Sequence, residues 1–183
     1  MRRKIAVAAA AAVALCAAAG LTWGPRPSPA VAQVRHVAPT YAPPRVVIDD
    51  PVDLEQAEVA REIARIVNDP RGWRTDLDHV TVLIVVPGSY QTDPMPGTIG
   101  HAWPEEHLVS ISAEAWTTVG PWFAGIGGTL DDQRTWIVLH ELGHVLGHKH
   151  VANCPGSGPA PVMRPFSYDI GMCDLNVWPN PVT

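Results

Sequence analysis

His140-Glu141-Leu142-Gly143-His144-Val145-Leu146-Gly147-His148-Lys149-His150 is the stretch that decides how this chain of 183 residues is read. It fits the pattern HExxHxxGxxH at every fixed position. With five fixed positions, each a residue type used at a few per cent, a chance match at one start is roughly one in ten million, so coincidence explains it poorly. On an α-helix, residues four apart share a face, and His140 and His144 can both present an imidazole nitrogen to one ion at about 2.0 to 2.1 Å. Glu141 is rotated about 100° from His140, beside the ion rather than on it, where a carboxylate can take a proton from a water held there. Gly147 then ends the helix, because glycine adopts a left-handed backbone without steric cost, and the turn can bring His150 back as third ligand. His148 also stands four residues from His144 and competes for that position; a helix broken at Gly147 points it away. Three nitrogens leave one place open, which separates a catalytic zinc (Zn2+) from a structural one whose four ligands close the shell.

Upstream, the first 32 residues read as an export signal. Arg2-Arg3-Lys4 makes a basic start, residues 5–21 are an Ala/Val/Leu run, and Ala30-Val31-Ala32 before Gln33 is a small-x-small cleavage site. An uncleaved membrane anchor is the other reading of the same run, which reaches the lower end of what spans a bilayer. Leu15 before Cys16 argues against a lipoprotein, and the paired arginines leave Sec and twin-arginine export both open. Removing this segment leaves nine basic against 18 acidic residues, a formal charge of −9, which carries no electrostatic footprint for nucleic acid or anionic lipid.

Two cysteines then remain, Cys154 and Cys173, an even count in a compartment that permits oxidation. A disulfide between them would staple the segment after the zinc helix and contribute about 3 kcal/mol; a second metal site or two free thiols are the alternatives. With no cysteine in residues 33–153, no pro-segment thiolate can mask the zinc.

Residues 25–44 contain six prolines and read as an extended linker, of which 33–44 survives cleavage, leaving 45–183 as one domain. Residues 45–48 could be a first strand. From Asp53, Leu54, Ala57, Ala60, Ile63, Ala64 and Val67 recur at helical spacing up to Asp69-Pro70-Arg71-Gly72. Residues 79–86 (HVTVLIVV) are β-branched and short enough for a buried strand, and a Gly/Pro/Asp loop covers 87–97. Residues 107–112 (HLVSIS) suggest a second strand at a sheet edge. After Trp116 a Gly-rich loop leads to Thr129-Leu130-Asp131-Asp132, a capping-box start for the helix that carries the motif. The expected fold class is α+β: a small mixed sheet, a backing helix, an active-site helix and a mostly irregular C-terminal segment. His101 and His107 read as surface or strand histidines. Most of the six tryptophans after the signal, Trp73, Trp103, Trp116, Trp122, Trp136 and Trp178, should be core, with one or two lining a cleft.

The zinc motif followed by Pro161-Val162-Met163-Arg164 resembles the metzincin clan of zinc peptidases, in which a methionine-containing turn passes beneath the three histidines. The resemblance implies that Met163 is that Met-turn residue, an apolar floor for the site, although methionine also fills ordinary core gaps. Asp69-Pro70-Arg71-Gly72-Trp73, Cys154, Gly158-Pro159-Ala160, Gly171-Met172-Cys173, Asn176 and Trp178-Pro179 together with the zinc motif further resemble a family of exported metzincin-like proteins of high-GC Gram-positive bacteria, over about residues 54 to 180. The chain departs from that pattern at Arg164-Pro165-Phe166, where a polar run is usual. Tyr168 lies five residues after Met163, further than the assisting tyrosine of some metzincins.

The resulting expectation is an exported, secreted or wall-associated zinc metalloendopeptidase. Glu141 would be general base toward a zinc-activated water, with His140, His144 and His150 as ligands and Gly147 and Met163 shaping the site. Its partner would be a peptide or protein substrate lying along an edge strand, for which 107–112 is the candidate. A monomer without nucleic acid and without stable membrane insertion after signal cleavage is expected. The competing reading is a zinc-bearing extracellular or wall-associated binding module without proteolysis. A purely structural zinc lacks a fourth ligand at conventional spacing.

Overall fold

Short β-branched runs build a four-stranded sheet in the computed structural model, which describes residues 40–49, 52–86, 99–151, 154, 156–165, 171 and 173–180. All of these fall in the unit Val37–Thr183. The strands are β1 (Arg45–Ile48), β2 (Thr81–Val85), β3 (Gly100–Trp103) and β4 (Leu108–Ser112), in the order β1-β2-β4-β3. β1, β2 and β4 run parallel, with Val46 opposite Val82 and Ile84 opposite Ile111, and β3 pairs antiparallel to β4. The fold is α+β, with α1 (Gln56–Val67), two short helices α2 (Ala113–Thr117) and α3 (Pro121–Gly125), and the long α4 (Leu130–Val145).

α1 packs on β1 and α4 on β3 and β4, and the two helices also touch each other, which places both on one face of the sheet. Ile63 and Ile66 of α1, Val82 and Ile84 of β2, Val109 and Ile111 of β4, and Ile137 and Leu142 of α4 meet in one core with no exposed surface. α1 starts later than the sequence suggests and buries a different stripe. Val59, Ile63, Ile66 and Val67 face inward, while Ala57 is exposed; the larger side chains take the core because they remove more apolar area from water.

Three expectations change. Residues 107–112 are not an edge strand: β4 lies between β2 and β3 with Val109 to Ser112 all buried, and His107 stands outside it in a left-handed turn. The alternation of Ser and Ile resembled a half-exposed strand because short serines tolerate burial where a neighbouring strand and α2 cover them. Among the described residues the edge strands are β1 and β3, and β3 carries no apolar alternation. The stretch after Trp116 is not only loop, since Pro121 starts α3 at the position where a missing N–H costs nothing.

The capping box at the start of α4 forms as expected, Asp132 N–H donating to Thr129 Oγ1 while Asp132 accepts from Thr129 N–H. Trp116, Trp136 and Trp178 are buried and Trp122 is exposed. Among the described residues no helix is long and apolar enough to cross a membrane. The signal segment, the linker up to residue 39, the loop at 87–97 and Tyr168 lie outside the described residues.

Candidate metal centre

His140 and His144 stand one turn apart on α4, and their side chains are fixed from the other end of the ring. His140 Nδ1 meets the Val162 carbonyl at 2.9 Å and His144 Nδ1 meets the His148 carbonyl at 2.9 Å. A carbonyl only accepts, so both Nδ1 atoms carry the proton and both Nε2 atoms are left as bare lone pairs.

The third histidine arrives by a sharp reversal. Gly147 has φ +89°, and His148 N–H donates to Gly143 O while Gly147 N–H donates to His144 O, the two bonds of a Schellman ending. The chain then turns back, Val151 N–H donates to Met163 O at 3.1 Å, and His150 Nε2 comes to 3.1 Å from His140 Nε2 and 3.0 Å from His144 Nε2. His148 is carried away from this point and stacks on Trp73 with ring centroids 4.3 Å apart. The third position therefore belongs to His150.

These three imidazoles could hold a metal ion. Tetrahedral bonds of about 2.05 Å set ligand nitrogens about 3.3 Å apart, close to the separations seen. His150 can place at most one proton between two lone pairs, so the cluster keeps an excess of lone pairs aimed at one point, an arrangement that a cation relieves. Burial also keeps the ligands neutral: His140 is pushed down to about 3, mainly by burial, with its neighbours His144 and His150 adding to the shift and the Val162 bond opposing it. Burial lowers His144 and His150 as well. Among the described residues no fourth His, Cys, Asp or Glu joins the three.

Glu141, next in the chain to His140, is only 6% exposed. Burial alone pushes its carboxyl up to about 8. Its room is made by Gly100 of β3: a Cβ there would come within 2.9 Å of Glu141 Cγ and Oε1. Sequence reasoning missed Gly100 because β3 has no strand pattern, although a lone glycine within a recognised strand is itself a sign of close backbone approach.

Beneath α4, a turn closed by Arg164 N–H to Pro161 O carries Met163, which is 5% exposed and lies with its sulfur against Gly143 and beside Trp73. The carbonyls of Val162 and Met163 thus hold His140 and the segment after His150 respectively, a role of main-chain atoms that side-chain identities cannot announce. Cys154 and Cys173 form a disulfide across 19 residues, which suggests an oxidising compartment. The tail it anchors is tied back by Ala160 N–H to Asp174 O, by Asn176 to Ala160 O, and by Asn180 to Gly72 O. Arg71 pairs with Asp69 and lies 3.9 Å over the Trp178 ring, so the Asp69 to Trp73 loop and the tail form one unit under the site. His101 and His107 are not part of the cluster.

Compared with family models, with curated proteins and with solved structures, the chain matches none.

Proposed function

We propose that this chain is an exported zinc metalloendopeptidase of metzincin type. The observation that carries the reading is Glu141, a buried carboxyl that directly follows the first of three convergent imidazoles in the chain, with a glycine opposite to make space for it. A purely structural metal site has no use for such a group, whereas hydrolysis needs a base within reach of the attacking water. The turn at Val162-Met163 under the helix supports assigning Met163 as the Met-turn residue.

A zinc ion held by His140, His144 and His150 would polarise the scissile carbonyl and make a neighbouring water more acidic. Glu141 takes the proton from that water and passes it to the leaving amine. Its raised affinity for protons suits the second half of that task, and the nearby cation favours the ionised form needed for the first. The peptide lies extended along β3, which ends the sheet among the described residues and packs its Gly100 against Glu141.

Glu141→Gln keeps the shape of the side chain and removes the base. The expected outcome is unchanged zinc content with loss of chelator-sensitive peptide cleavage, read on a diverse peptide library. Undiminished cleavage by the variant overturns the mechanism; zinc-loaded wild type that cuts nothing in the library points instead to a binding module.

A further inference from the structure

Asp69-Pro70-Arg71-Gly72-Trp73 stands out in the sequence, yet neither the three imidazoles nor Glu141 gives it a task. In the fold this loop is built to aim one side chain. Asp69 accepts from the backbone N–H of Arg71 at 2.9 Å and from its Nε and Nη2 at 2.8 and 2.7 Å, and Gly72 N–H donates to Asp69 O. The turn is tight, since a Cβ on Gly72 would stand 3.1 Å from Asp69 O. From the tail, Asn180 donates its Nδ2 to Gly72 O at 2.7 Å and its N–H to Arg71 O at 3.0 Å. A loop tied from both sides leaves Trp73 little choice of direction.

Trp73 is seated on α4 between Leu139 and Gly143, the residues that precede His140 and His144. Its Nε1–H donates to Leu139 O at 2.8 Å, and its Cζ2 lies 2.9 Å from where Gly143 would carry a Cβ, so the missing atom admits the ring. The indole is stacked on His148, with centroids 4.3 Å apart and planes 16° from parallel. His148 is the residue whose carbonyl meets His144 Nδ1 at 2.9 Å. It follows Gly147, at φ +89°, where the main chain has the widest conformational choice. The bond from His148 N–H to Gly143 O fixes its amide end; the stack restrains its side chain, and with it the backbone that aims the carbonyl.

We infer that Trp73 is a positioning residue of the metal centre: by clamping His148 it keeps in place the carbonyl that turns the His144 Nε2 lone pair toward the ion. Groups that orient a ligand from behind commonly set metal affinity by about 10- to 100-fold. The inference rests on the three imidazoles holding zinc and does not depend on peptide cleavage. It also gives the tail a part in the site, since Asn180 holds the loop that aims Trp73.

The test is the zinc affinity of the protein, measured by competition with a chromophoric chelator, with folding followed separately by denaturant. Trp73→Leu and His148→Ala should each weaken binding by about 10- to 100-fold. The double variant should bind no more weakly than the worse of the two, because all three lose the same contact. Trp73→Phe, which keeps a ring against His148, should recover most of the loss. Cobalt in place of zinc gives a second readout: its visible bands should shift in Trp73→Leu and His148→Ala and return in Trp73→Phe. A merely structural tryptophan would lower stability and leave the bands and the coupling between the two positions unmoved. His148 is exposed, so His148→Ala still decides the matter should Trp73→Leu not fold. Affinity within about threefold of wild type in His148→Ala overturns the inference, as do losses that simply add in the double variant. Wild type that binds no zinc overturns the metal reading beneath it, whereas absence of cleavage touches the peptidase reading alone.

Discussion

His140 and His144 stand on a helix of 16 residues whose backbone bonds itself, whereas His150 stands on chain without regular structure. On the helical side, position follows from period: four residues on, the same face returns. On the other side it follows from separate attachments, namely the left-handed Gly147, the Val151 to Met163 bond, the turn at Pro161 to Arg164, and the Cys154–Cys173 disulfide. A period is written locally. Two of these attachments need distant partners, Met163 for Val151 and Cys173, 19 residues on, for Cys154. The difference teaches that one side of the centre should fail cooperatively with the core, and the other piece by piece.

The largest test addresses the helical side in metal-free protein. Glu141 is raised by burial from 4.5 to about 8. Below the lower value it is protonated both folded and unfolded. As pH rises toward 8 the unfolded chain ionises while the folded carboxyl holds its proton, so stability falls by up to about 1.4 kcal/mol per pH unit. His140, lowered from 6.5 to about 3, acts in the opposite sense and removes stability as pH falls through that window. Denaturant midpoints should therefore fall between about pH 6.5 and 8, where Glu141 acts without His140, and Glu141→Gln should remove that fall and steepen the loss on the acid side, where the two oppose each other; an unchanged profile in the variant counts against a buried, raised Glu141.

Next in size is the disulfide. Replacing both cysteines by serine should cost about 3 kcal/mol in unfolding measurements, and should weaken metal binding by freeing the His150 side. Retention of full metal affinity would show that the Val151 to Met163 bond suffices there. At the joint between the two sides, Gly147→Ala forces a side chain into φ +89°, a cost of about 1 to 2 kcal/mol, with a loss of metal affinity out of proportion to it. Smallest is Thr129→Ala, which removes the cap of α4 far from the site; about 1 kcal/mol of stability should go, with metal affinity unmoved.

The same contrast decides what was legible in the sequence. The capping box, the helical face of His140 and His144, and the stop at Gly147 are local patterns, and each stands where it was read. For α1 the period was right and the register was not, because Ala57, Ala60 and Ala64 were read as the stripe in place of Val59 and Ile66, which take the core. β3 was invisible, since Gly-His-Ala-Trp has no alternation and is a strand only through its pairing with β4. Ser110 and Ser112 misled in the other direction, being buried by neighbours that the strand itself does not specify. Of the site, the ligand types were readable, but the supports were main-chain carbonyls of Val162, Met163 and His148, which any residue possesses. Gln133 likewise reads as an ordinary polar helix residue; only the fold shows it buried, bridging Ala115, Thr118 and Gly120.

Gly100 has a consequence for anyone redesigning this protein. Glycine weakens a strand, and an optimiser scoring local propensity would replace it on β3 with a β-branched residue to gain a few tenths of a kcal/mol or more. Its added carbons would enter the space held by the Glu141 carboxylate. A variant selected for heat resistance could thus emerge sturdier and inert, its defect caused by one methyl group on a neighbouring strand, with every metal ligand intact.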